Sequence, residues 1–105
     1  MTLNYVQMKH ALRAAADACT RAQVQVSGSE TESTMRLRMV STTHLAEVVV
    51  WSHGSVTATV GDLSSGEYIC DGTSSLNEPV RTHTLMVNTF RHYGISWDDF
   101  VPSEP

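Results

Sequence analysis

Cationic side chains are scarce in this chain. Its 105 residues hold seven Lys and Arg against eleven Asp and Glu, for a net charge of −4 with histidine neutral. So few basic residues, poorly interleaved with aromatics, do not build an RNA platform, and a net negative domain repels phosphate backbones. Long apolar runs are also missing. Nothing approaches the roughly 20 residues needed to span a bilayer, and Met1-Thr2-Leu3-Asn4-Tyr5 lacks the basic region and apolar block of a secretory signal. The two cysteines, Cys19 and Cys70, form no closely spaced framework. These absences lead us to expect a cytoplasmic protein with reduced thiols and no membrane segment.

Familiar chemical motifs are absent too. Five histidines are present, but none pairs with another His or Cys at the short intervals of a zinc site, so neither a metal nor another cofactor is expected. The glycines are scattered, no Gly-rich phosphate loop appears, and there is no Gly-x-Ser-x-Gly elbow. One catalytic arrangement stays open: Cys70 as nucleophile, His44 or His53 as base and Asp71 as orienter, which need only meet in space.

What is present is a single-domain pattern of helix and strand, spanning 1–105 without internal repeats. Tyr5, Met8, Leu12, Ala15 or Ala16 and Cys19 recur at helical spacing, predicting a helix from about Asn4 to Arg21 with Lys9, Arg13 and Asp17 on its polar face. Cys19 belongs to the apolar stripe as a small buried hydrophobe. Val24 and Val26 alternate with glutamines as a short strand. Ser27 to Thr34 contains no apolar residue and reads as an exposed, mobile loop. Met35, Leu37 and Met39 alternate with Arg36 and Arg38 in a half-buried strand that ends at a Ser41-Thr42-Thr43 turn.

The stretch from Leu45 to Cys70 reads as a meander. Leu45 to Trp51 is β-branched and aromatic, and His53-Gly54 signals a turn. Val56, Ala58 and Val60 then alternate with Thr57, Thr59 and Gly61. Asp62 to Gly66 turns the chain, and Tyr68, Ile69 and Cys70 complete a third strand before Asp71-Gly72. A second helix is predicted from either a Ser75-Leu76-Asn77-Glu78 capping box or Pro79 as its first residue. Val80, His83, Met86, Val87, Phe90 and Tyr93 carry its apolar spacing, and Gly94 stops it. The fold class is therefore α+β, a four- to five-stranded antiparallel sheet packed by an N-terminal and a C-terminal helix. Residues 96–105 are expected to form a partly flexible tail in which Trp97 and Phe100 either pin back onto the domain or stand out for a partner.

Charge is distributed unevenly. Residues 1–53 carry a net of +1, whereas 54–105 carry only Arg81 and Arg91 against Asp62, Glu67, Asp71, Glu78, Asp98, Asp99 and Glu104, a net of −5. An acidic half would steer association with a basic protein, although acids also serve solubility alone.

The order of a terminal helix, a meander carrying Trp51-Ser52-His53-Gly54-Ser55, a Gly66-Glu67-Tyr68 strand and a helix ending near Phe90 resembles the TriTu-type immunity proteins of bacterial polymorphic toxins. More broadly, it resembles the small cytoplasmic immunity proteins of contact-dependent growth inhibition systems. The likeness spans roughly residues 1–95. It implies an inhibitor and not an enzyme, one that binds a cognate toxin domain, often a nuclease, and blocks its active site without contacting nucleic acid or membrane. On charge and position, the candidate partner contacts are Glu67, Asp71, Glu78, Asp98 and Asp99, with Trp97 as an anchor. The alternatives are a small cysteine-dependent enzyme and a secretion chaperone or adaptor.

Overall fold

The computed structural model describes residues 3–101. Its elements follow one another as α1 (Tyr5–Arg21), β1 (Gln25–Glu30), β2 (Thr34–Val40), β3 (His44–Trp51), β4 (Ser55–Asp62), β5 (Tyr68–Ser75) and α2 (Pro79–Phe90). Two short 3-10 turns, Arg91–Tyr93 and Trp97–Asp99, complete the chain. The five strands form one antiparallel sheet in the order β1-β2-β3-β4-β5, so every strand pairs with its sequence neighbours and β1 and β5 are the edges. The α+β class and the flanking helices thus agree with the sequence reading.

Alternation decides which face is buried. Met39, Ala46, Val60 and Cys70 lie in one cross-strand row, and Leu37, Val48, Ala58 and Gly72 in the next. Both rows face the helices. Met8, Leu12, Ala15 and Cys19 of α1 join Met86 and Phe90 of α2 above them in one core. The opposite face has no covering layer among the described residues and carries Arg36, Arg38, Glu47, Thr57, Thr59 and Asp71. One wet face and one dry face is the usual solution for an antiparallel sheet.

Four local expectations are corrected. The exposed stretch from Ser27 is not a loop, because Ser27 to Glu30 pair with Arg38 to Met35 and the turn shrinks to Thr31–Ser33. Backbone pairing needs no apolar side chain, and Glu30 is held by Lys9 at 3.1 Å and by Arg13. Asp71-Gly72 is not a turn either, since β5 runs through it to Ser75. A Cβ at residue 72 would stand 2.9 Å from Leu85 Cδ1, so this glycine marks the close approach of α2 and not a bend.

The Ser75–Glu78 capping box does not form. Ser75 ends β5 and its Oγ accepts from the Asn77 amide, while Pro79 is the first helical residue as the alternative reading had it. Finally, α2 is rotated from its expected face. Thr82, Leu85, Met86, Thr89 and Phe90 are buried, whereas His83 is exposed and Val80 is 79% exposed. The threonines tolerate burial because their hydroxyls are paired. Thr82 Oγ1 donates to the Ser75 carbonyl at 2.8 Å, and Thr89 Oγ1 donates to the Leu85 carbonyl at 2.8 Å.

The chain after α2 turns back at Gly94, whose φ of 72° suits glycine. Trp97 then stacks on Phe90 with ring centroids 5.4 Å apart and planes 9° from parallel. With 2% of its surface exposed, Trp97 is a core residue and offers no face to a partner, which corrects its assignment as an anchor. The expected tail is thus docked as far as the Trp97–Asp99 turn, and its last part, 102–105, lies outside the described residues. Trp97→Ala should cost about 3–5 kcal/mol of stability, which for a chain of this size lowers Tm by more than about 10 °C. Thermal unfolding checks this, and an unchanged Tm would show that the tail is not docked.

Candidate functional site

Helix α2 returns antiparallel to β5 on its dry face, and the two leave between them an open groove of about 470 Å³. Cys70 and Gly72 belong to its strand side. Its helix wall is Arg81, Thr84, Leu85, Asn88 and Arg91, a spacing of three and four that puts them on one helical face. Leu85 seals the middle by lying over Gly72, and the polar side chains to either side of it face solvent.

The outer side of the groove is the free edge of the sheet. β5 pairs with β4 alone, and among the described residues no other segment donates to or accepts from the backbone of 69–73 on that side. At the start of the strand, Tyr68 is 74% exposed and Ile69 46%, while Leu63, 49% exposed in the turn after β4, donates its amide to the Thr43 carbonyl on the β3 side. Leu63 is presented by a fastened turn. The Asp62 carboxylate accepts from Ser64 Oγ at 2.6 Å, from the Ser64 amide at 2.8 Å and from the Ser65 amide at 3.3 Å, and the Ser64 bonds chiefly hold its pKa below the usual carboxylate value.

The structure distributes the predicted contact residues over three places. Glu67 precedes β5, and Asp71 lies within it on the wet face of the sheet, both exposed. Glu78 stands at the N-cap of α2, beyond the far end of β5 and about 25 Å from Glu67 at the rise of an extended strand. Asp98 Oδ1 lies 2.6 Å from His83 Nε2 and fastens the Trp97–Asp99 turn to the outer side of α2, where Asp99 is exposed. Of these, only Asp71 lines the groove, and Glu78 reaches it through Arg81, 3.9 Å away. Arg81, Thr84, Asn88 and Arg91 were not singled out from the sequence, although their spacing around Leu85 was the signal that could have found them.

No histidine is among the residues that line the groove with Cys70. Asp71 is on the opposite face of the strand from Cys70, as alternation requires. His44 Nδ1 pairs with Thr43 Oγ1 at 2.7 Å, and His53 Nε2 with Ser55 Oγ at 2.8 Å. Among the described residues no three His, Cys, Asp or Glu side chains are grouped to hold a metal, and no helix is long and apolar enough to cross a membrane.

A second cluster lies next to the Arg91 end of the groove. The rings of His44 and His92 sit 5.0 Å apart, with Tyr93 edge-on to His44 at 6.3 Å. Tyr93 donates its hydroxyl to the Met39 carbonyl at 3.0 Å, and burial pushes its pKa up to about 12. Burial lowers the pKa of His92 from its ordinary 6.5, with His44 and Arg91 adding to the effect.

Two measurements follow from these environments. Burial pushes the Cys19 thiol up to about 11 and leaves none of it exposed, whereas Cys70 is partly open in the groove. An uncharged thiol reagent at neutral pH should therefore label Cys70 in the native protein and Cys19 only on unfolding, as peptide mapping would show. For His92, the unfolded chain takes up a proton that the folded chain resists, so stability is full above 6.5 and falls as pH drops below it. Tm should decline as pH falls below about 6.5, and His92→Asn should make that decline shallower. Neither a protein-family model nor a curated protein matches the chain.

Proposed function

We propose that the protein acts by binding another protein at its β5 side, in the role of an immunity protein that neutralises a toxin domain by covering its active cleft. The observation that supports this reading is the open edge of β5 with Tyr68 and Ile69 exposed at its start. An unpaired edge flanked by apolar side chains is a template for another chain, and this one is not covered by any helix or loop among the described residues. Glu67 and Asp71 next to these residues give the surface an acidic border. A nuclease presents a basic surface to its nucleic acid, so an acidic border attracts it while the apolar centre holds it. This role places the protein in the cytoplasm, where a delivered toxin meets its target.

Co-expression with the toxin domain encoded beside it is the decisive experiment. The two should copurify and the cells should be protected; a toxin that neither copurifies nor is restrained overturns the reading. In the complex, association should slow as salt rises toward physiological strength, where charges reach about 8 Å. Glu67→Gln with Asp71→Asn should slow association several-fold. Asp98→Asn with Asp99→Asn should leave it within about twofold, because these acids lie on the outer side of α2, away from the groove.

A further inference from the structure

The positions of the cations single out the groove between β5 and α2. Residues 54–105 contain seven acids and only two cations, Arg81 and Arg91. Both of these line the groove. An acidic half that keeps its only two guanidinium groups along one cleft has a local preference opposite to its net charge.

Little within the chain neutralises them. Arg81 Nη1 lies 3.9 Å from Glu78 Oε2, but both side chains are more than half exposed and such a pair is weak. Arg91 has no carboxylate within 4 Å among the described residues. Asp71 borders the groove, yet its side chain belongs to the wet face, opposite Cys70. The other sheet edge differs. There Glu30 of β1 is already bound by Lys9 and Arg13 of α1, so the helix-side cations of that edge are satisfied internally.

We propose that β5 accepts an extended segment of a partner protein as a sixth strand, and that this segment carries two acidic side chains four residues apart, one against Arg81 and one against Arg91. The proposal rests on the protein-binding reading above and specifies its mode. Main-chain pairing along Ile69–Thr73 would give affinity, and the side chains facing α2 would give specificity. The spacing follows from geometry. Ten helical residues rise about 15 Å, and four strand residues advance about 13–14 Å with side chains on the same face. Arginine side chains are long enough to absorb the difference. At one end of the strand, Tyr68 and Ile69 would meet an apolar residue of the segment.

The test uses the whole protein as bait for a displayed library of random peptides of about ten residues. Enriched peptides should be poor in proline and carry Asp or Glu at positions i and i+4. Their binding should fall at least about tenfold with Arg81→Glu plus Arg91→Glu, two exposed helix positions whose replacement spares the core. That variant should in turn select Lys or Arg at the same spacing. Bound peptide should slow hydrogen exchange at the β5 amides that face away from β4. No enrichment, peptides indifferent to the charge reversal, or unchanged β5 exchange would each overturn strand addition. A toxin domain that copurifies while the library yields nothing keeps the protein-binding reading and removes this mode. Acidic peptides that bind while no toxin copurifies keep the mode and remove the immunity role.

Discussion

The close approach of α2 to β5 is the constraint on which the rest of the arrangement depends. Leu85 Cδ1 lies 2.9 Å from where a Cβ at residue 72 would stand, so only a glycine there lets the helix settle this close to the edge strand. That position lets Phe90 reach the core and leaves it a face on which Trp97 stacks. It also sets the width of the groove, because a helix held farther from β5 would leave a shallow shelf. A contact worth a few methyl groups in packing terms therefore determines both how the C-terminal part of the core closes and what the free edge of the sheet presents.

The two sheet edges show how the same architecture can close one surface and leave another available. β1 is short, rich in serine and ends in a glutamate held by two cations of α1, which occupies its border with the chain's own charges. β5 is longer, begins with two exposed apolar residues and is flanked by cations without comparable partners. Asp71 and the register shift at Val60/Gly61 are the two devices on β5 that discourage indiscriminate pairing. An edge guarded by charge and a bulge but not covered is selective, because a partner must bring the complementary charges to pair with it.

Much of this fold was legible because its elements obey simple periods. The stripe in α1 and the alternation in β2 and β4 each need one buried face, and each was read correctly from spacing alone. What was not legible depended on contacts between distant residues. Ser27 to Glu30 contains nothing apolar, so only the presence of β2 beside it reveals a strand. Gly72 looked like a turn because a glycine after an aspartate usually is one, and only Leu85 explains it otherwise. Thr82 and Thr89 lay outside the apolar spacing read for α2, and only the Ser75 and Leu85 carbonyls that accept from their hydroxyls let them be buried while Val80 and His83 are exposed. The candidate site was half legible: the acids Glu67 and Asp71 were noticed for their charge, while Arg81 and Arg91 passed as isolated exceptions in an acidic half.

Those exceptions change what the charge balance means for recognition. A net charge of −4 acts at long range, where a partner experiences the whole distribution, and it favours approach by a basic domain. At contact, screening confines each charge to its neighbours, and the two faces along β5 differ in sign: Asp71 on the wet face, Arg81 and Arg91 on the helix side. A basic domain that offers an extended segment bearing acids would satisfy both scales at once. A segment slipped by one residue would turn its acids to the wet face, where Asp71 repels them, and leave the arginines unpaired. Register and partner choice would then be set by the same few charges, which is how a small surface can discriminate without a large buried area.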